Sequence, residues 1–178
     1  SDVEVSLSGQ TSSSMTTGTD GAYSFGGLDE GMDYTVTPQR DGDYLNGVST
    51  FDVVLISKHI LGVTPLSSPY QMIAADVNNS GNISTLDLIQ LRKLILSIDT
   101  EFANNTSWRF VDASYQFPVA GNPWAEQFPE VVNQNNLPEA GISDADFVAV
   151  KIGDVDGNAQ ANSLAAVENR SFEGTFAF

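Results

Sequence analysis

Oxygen-bearing side chains recur at fixed spacing in three places along this chain. In the run Asp76-Val77-Asn78-Asn79-Ser80-Gly81-Asn82-Ile83-Ser84-Thr85-Leu86-Asp87, Asp76, Asn78 and Ser80 stand at positions 1, 3 and 5, and Asp87 closes the segment at position 12. A hard cation such as Ca2+ takes about six to eight oxygen ligands. A loop with ligands at 1, 3 and 5, a sharp turn at 6, a backbone carbonyl at 7 and an acid at 12 wraps them around one point. Gly81 suits the turn, and Asn82 offers its carbonyl. A second segment, Asp41 to Asp52, keeps acids at positions 1, 3 and 12 as Asp41, Asp43 and Asp52 but has Leu45 at position 5. Its shell needs water or a neighbour, and Asn46 at position 6 is expected to take the left-handed conformation. The third segment, Asp154-Val155-Asp156-Gly157-Asn158, repeats positions 1, 3 and 5 through Asp154, Asp156 and Asn158, but position 12 would be Ala165. Either a distant acid such as Asp112 or Asp144 completes this half-site, or it is a turn.

Asp and Asn also form turns and cap helices without any metal. Two loops in register argue for the cation. Val48-Ser49-Thr50-Phe51-Asp52 aligns with Ile83-Ser84-Thr85-Leu86-Asp87 at an offset of about 35 residues, and Lys58, Ile60 and Leu61 align with Lys93, Ile95 and Leu96. Each loop runs into an apolar, Leu/Lys-containing segment that predicts a helix, over 53–61 and 88–96, with Gly62 ending the first. Val48 and Ile83, at position 8, are expected to pair. Apolar Phe51 and Leu86, at position 11, are expected to pack inward.

Around these loops the pattern predicts strands on the N-terminal side. Val3, Val5 and Leu7 share one face, and Tyr23 with Phe25 and Tyr34 with Val36 mark two further runs between glycine-rich turns. Residues 100–140, rich in Asn, Pro and aromatics, read as an ordered long loop or short strands. A third short helix is expected over Ser143–Ile152, with Ser143 as its N-cap and Asp144 and Asp146 in the first turn. The fold class is therefore α+β: a small antiparallel β-sandwich followed by a pair of loop-helix repeats and a third short helix. The expected divisions are 1–40 for the partial sandwich, 41–165 for the calcium-binding domain, and 166–178 for a strand belonging to a further β domain. Alternation at both edges, with Phe172, Phe176 and Phe178 at the second, reads as a piece of a larger protein.

Charge narrows the partners. Seven basic and twenty-three acidic residues give −16, a field that repels nucleic acid and anionic membrane while attracting cations. With no cysteine and a single histidine, His59, neither a thiolate metal site nor the usual nucleophile-base pair can form, so no enzyme is expected. No apolar run reaches the roughly 18 residues that span a bilayer. Asn104 and Asn105 head Asn-x-Ser/Thr triplets and are candidate glycosylation sites.

A loop followed by a helix, without the helix that precedes the loop in an EF-hand, resembles the type I dockerin repeat over about residues 41–97. That resemblance implies calcium as ligand, an extracellular setting, and contact with a cohesin-like partner through the exposed faces of 52–61 and 87–97. The run from Thr19-Asp20-Gly21-Ala22-Tyr23-Ser24-Phe25 to Tyr34-Thr35-Val36-Thr37-Pro38 resembles Cna B-type and carboxypeptidase-regulatory-like sandwiches of surface-protein stalks. Asn46 to Asp52, Ile56 to Gly62, Ala74-Ala75-Asp76 and Ser107-Trp108-Arg109-Phe110 are similar to large secreted adhesin-like proteins of Bacteroidetes. Two functions follow as expectations. One is a structural module of a surface or filament-forming protein, in which calcium rigidifies the joint between β elements and assembly proceeds by strand exchange. The other is an interaction module that binds a cohesin-like partner.

Overall fold

The computed structural model describes residues 2–160; the expected strand at 166–178 lies outside them. The α+β class holds. In chain order the elements are β1 (Glu4–Gly9), β2 (Ser13–Thr16), β3 (Tyr34–Gln39), α1 (Thr50–Ile60), α2 (Pro69–Ala75), α3 (Thr85–Ile95), β4 (Trp108–Asp112), β5 (Val132–Gln134) and β6 (Phe147–Lys151). The strands form an antiparallel four-stranded sheet of order β2-β1-β3-β5 and a two-stranded sheet of β4 and β6.

Alternation places Val5, Leu7, Tyr34 and Val36 on one buried face of the larger sheet, as the sequence predicts. A second sheet does not cover that face. Tyr23, Phe25 and Leu28 turn inward from a segment that forms no strand, with Leu137 and Phe147 beside them. The small sandwich thus becomes one sheet under an irregular cover. β1 is paired on both sides by its own chain, with β2 and β3, and offers no free edge.

The segment expected as a helix over 143–152 forms no helix, and its residues 147–151 are strand β6. Val148 and Val150 favour extended backbone, and pairing with β4 from Phe147↔Asp112 to Lys151↔Trp108 outweighs the capping signature at Ser143. The third helix lies instead at α2, with Ser68 as N-cap and Pro69 in its first turn.

Both repeat helices begin with the same device. Ser49 and Ser84 are the N-caps, and Asp52 and Asp87 stand at N3, where their carboxylates accept from the cap backbone N–H at 2.8 Å in each case. Both end alike too. Val63 N donates to Lys58 O and Gly62 N to His59 O; Ile98 N donates to Lys93 O and Ser97 N to Leu94 O. The left-handed residue is Gly62 in the first repeat (φ 67°) and Ser97 in the second (φ 55°). His59 is structural, its Nδ1 accepting from Leu66 N at 3.0 Å in the α1–α2 connection. α1 packs on α3, and the main core runs through Val53, Ile56, Ile73, Leu91 and Leu94 to Val111 and Ile152 of the β4/β6 region. Val48 and Ile83 both pack against this core.

Candidate metal centres

In the contiguous loop the residues singled out by spacing lie close together. Asp76 is buried at 1% exposure; its Oδ1 accepts from Ser80 N and its Oδ2 from Gly81 N, both at 2.8 Å. Asn78 Oδ1 accepts from the same Ser80 N–H at 3.1 Å, and Ser80 Oγ donates to Asn82 O at 3.1 Å. Asp87, fully buried, reaches back from the first turn of α3 to accept from Asn78 N at 3.1 Å. Asp76, Asn78, Ser80, the Asn82 carbonyl and Asp87 therefore converge on one small volume. Two left-handed residues, Asn79 (φ 55°) and Gly81 (φ 74°), fold the loop tightly enough to do this. The donor set is all oxygen, with two carboxylates, and fits a hard cation such as calcium. Burial raises the Asp76 carboxyl above its usual range, with the Asp87 charge adding to it against the hydrogen bonds from Ser80 and Gly81. A cation would offset that cost.

The segment Asp41–Asp52 does not close on itself. Asp41 Oδ1 accepts from Ser107 N at 2.8 Å and Gly42 N at 2.9 Å, and its Oδ2 from the Tyr44 hydroxyl at 3.1 Å. Against the opposing effect of burial, these bonds lower its pKa. Tyr44 packs edge-on to Phe102, ring centroids 5.2 Å apart, which holds this stretch against the core. Asn46 lacks the expected left-handed conformation; Gly47 has it instead (φ 74°).

Asp52 goes elsewhere. Its Oδ1 accepts from Val155 N at 2.8 Å and Asp156 N at 3.2 Å, across 103 residues of sequence in the first case. Oxygens of Asp52, Asp154 and Asp156 all lie within 4.8 Å of one another, and Asp41 and Asp43 are not in that group. The distant acid beside the 154–158 half-loop is thus Asp52, not Asp112, whose Oδ1 binds Ser114 N and Oγ, nor Asp144. A signal for this existed in the sequence: one segment lacks the acid at position 12, the other lacks the ligand at 5, and the two defects are complementary.

Sequence reasoning missed the braces. Asn105 Nδ2 donates to Asp76 O at 3.1 Å and Val77 O at 3.3 Å, so this candidate acceptor for a glycan is engaged, whereas Asn104 is exposed. Gln71 Nε2 donates to Val155 O at 3.2 Å. Arg109 donates to Asn79 Oδ1 at 2.9 Å while its fork grips Glu130 through two 2.8 Å bonds.

Phe51 and Leu86 do not pack inward; they are 53% and 59% exposed. The core is filled from the opposite faces of α1 and α3, by Val53 and Ile56 and by Leu88, Leu91 and Leu94. Val54, Leu61 and Val63 are exposed as well, and so are Ile89, Leu96 and Ile98, their partners under the repeat. The exposed apolar surface is thus duplicated between the two repeats.

Residues 45–96, less than a third of the chain, match the family model of the dockerin type I domain. The match starts beyond Asp41 and Asp43 and covers α1, α2, the contiguous loop and α3. Dockerin domains are non-catalytic modules that bind calcium and protein partners, typically cohesins, and occur in extracellular proteins. No curated protein and no solved structure matches the chain. Among the described residues no helix is long and apolar enough to cross a membrane.

Proposed function

We propose that this chain is a calcium-ordered protein-interaction module of an extracellular protein, docking a cohesin-type partner through the paired outer faces of α1 and α3. The observation that carries this reading is the duplicated exposed stripe: Phe51, Val54 and Leu61 on one helix and Leu86, Ile89 and Leu96 on the other. Spacings of 3 and 10 residues from the first member keep each set on one helical face, with Leu61 and Leu96 at the C-caps. Exposed apolar residues that recur in register on two packed helices point to a binding surface, not to scattered surface hydrophobics. Lys58 and Lys93 lie within the stripes at equivalent, exposed positions, in a chain of net charge −16. The fitting partner therefore presents an apolar patch bordered by acids.

Calcium at Asp76, Asn78, Ser80, the Asn82 carbonyl and Asp87 would fix the start of α3 relative to the Asn105 brace just before β4. That retains one part of the structural expectation, a calcium-rigidified joint between helices and β elements. Millimolar extracellular calcium is sufficient for even weak sites of this type.

The test is calorimetric titration of the calcium-loaded chain with a cohesin-type domain, alongside the variant Phe51→Ser/Leu86→Ser. The expected result is binding by the parent chain and at least tenfold weaker binding by the variant, with unchanged circular dichroism. Equal affinity of parent and variant would refute the assignment of the face. Light scattering that finds the parent chain self-associating through these residues would reassign the surface to a second copy.

A further inference from the structure

We infer that a second calcium site of this dockerin-like unit is a split loop, its first half supplied by residues 154–160 and its closing carboxylate by Asp52 at the start of α1. The inference rests on the calcium reading of the contiguous loop, because the two share the bonds that hold their carboxylates in place. Asp154 Oδ1 accepts from Asn158 N at 3.1 Å and its Oδ2 from Ala159 N at 2.8 Å, as Asp76 accepts from Ser80 N and Gly81 N. Asp156 Oδ1 accepts from Asn158 N at 3.3 Å, as Asn78 Oδ1 accepts from Ser80 N. Asp52 Oδ1 accepts from Asp156 N, as Asp87 Oδ1 accepts from Asn78 N, while the other oxygen of each caps its own helix. Position 2 is a fully buried valine in both, Val155 and Val77, and position 4 is left-handed in both, Gly157 and Asn79.

Asp154 and Asp156 thus supply the side-chain oxygens of positions 1 and 3, and Asp52 that of position 12; at position 5 Asn158 Nδ2 donates to Asp156 Oδ2 at 2.8 Å, so its amide turns over to offer Oδ1 to an ion. This set has one more carboxylate than the contiguous loop and is equally hard in its chemistry. The join between the halves is built as well. Asn46 Nδ2 donates to Gln160 O at 2.7 Å, and Gln160 N donates to Asn46 Oδ1 at 3.0 Å, so the amide clips the two strands of the divided loop together. Gly47 passes so close that a Cβ there would lie 2.6 Å from the Ala159 Cα. At the other end Gly153 N donates to Ala74 O at 2.8 Å, which ties the starts of the split and contiguous loops to each other.

Calcium in this site acts as a clasp. It joins the end of β6 to the beginning of α1, so the helix carrying Phe51 and Val54 is ordered by a segment about a hundred residues downstream. The chain from 154 to 160 is then part of the interaction module, although it lies outside the stretch that matches the dockerin family model.

The experiment is native mass spectrometry of the whole chain across a calcium titration, with hydrogen exchange of the 154–160 amides in the same samples. The parent is expected to bind two ions. Asp154→Asn/Asp156→Asn should bind one, Asp76→Asn/Asn78→Ala should bind one, and Asp41→Asn/Asp43→Asn should still bind two. Calcium should slow exchange at 154–160 in the parent and in the Asp76/Asn78 variant, a readout that survives even where a variant is less stable. Retention of two ions by the Asp154/Asp156 variant, or loss of one by the Asp41/Asp43 variant, overturns the split site. A parent that binds one ion, lost on substituting Asp76 and Asn78, overturns the split site and leaves the contiguous site standing. A parent that binds none overturns both.

Discussion

Replacing Gly47 by alanine tests the divided loop at the point where its halves touch. Gly47 has φ 74°, and a Cβ there would meet Ala159 Cα at 2.6 Å, its Cβ at 2.7 Å and its backbone N at 2.7 Å. Two costs follow. The left-handed conformation costs an L-residue about 1–2 kcal/mol, and forcing a methyl group into a filled space costs a further ~1–3 kcal/mol. Gly62 supplies the control. Its φ is 67°, nearly the same, but a Cβ there meets nothing within 4 Å, so Gly62→Ala bears only the conformational cost. The difference between the two variants isolates the contact between residues 47 and 159. Because 1 kcal/mol shifts Tm by about 2–4 °C in a chain of this size, Gly47→Ala should melt about 4–8 °C below Gly62→Ala for a mid-range contact cost of ~2 kcal/mol. Thermal melts in saturating calcium, backed by urea titrations to confirm unchanged m-values, provide the assay. Equal losses in the two variants would refute the close passage of the 46–47 and 159–160 segments, and with it the join of the divided loop.

Four further outcomes are expected. Ser97→Gly should raise stability by about 0.5–1 kcal/mol in urea denaturation, since it puts glycine at the left-handed C-terminal position that Gly62 already fills in the first repeat. Asn105→Ala should lower stability by ~1–3 kcal/mol and weaken calcium binding, read by calorimetry, because it removes the donor shared by the Asp76 and Val77 carbonyls. Chelation should lower Tm steeply, each site contributing about 2.7 kcal/mol when calcium stands at a hundred times its dissociation constant; an unchanged melting curve would refute calcium binding altogether. Burial lowers Lys151 to about 8, against partial compensation from Asp43 and Asp154. Between that value and the unfolded lysine value near 10.4 the unfolded chain binds more protons than the folded one. Stability should therefore rise with pH across this window, by at most about 1.4 kcal/mol per pH unit, and Lys151→Met should flatten the rise in pH-dependent urea titrations.

The legible parts of the fold are those whose signals are local. Ser49-Thr50-Phe51-Asp52 and Ser84-Thr85-Leu86-Asp87 hold capping and closing residues within one turn, so both helix starts follow from spacing. β1 and β3 follow from alternation. Where several local patterns compete, neighbours decide. Ser143 and Asp144 announce a helix, yet β4 offers Phe147–Lys151 a partner strand, and β-branched Val148 and Val150 take it. Tyr23 and Phe25 alternate like a strand and are half-buried against the sheet, but no strand pairs with that segment. The exposure of Phe51 and Leu86 was not legible either, because an apolar residue in a helix does not state which face the core will fill. α1 against α3 settled it, by burying Val53, Ile56, Leu88 and Leu91.

By itself the sequence determined the chemistry on offer: oxygen-bearing side chains at alternating positions in Asp76–Asp87, the repeat that places Asp52 and Asp87 at equivalent points, and a charge that favours cations. Only the tertiary structure decided which acids come together. A coordination shell is specified by distance in space, and spacing along the chain encodes that distance only while the loop is contiguous. Asp41 and Asp43 have the right spacing to Asp52 but lie outside its acidic group, Asp41 being bonded to Ser107 N and the Tyr44 hydroxyl, whereas Asp154 and Asp156 have no such spacing and are delivered to Asp52 by β6 and the core beneath it.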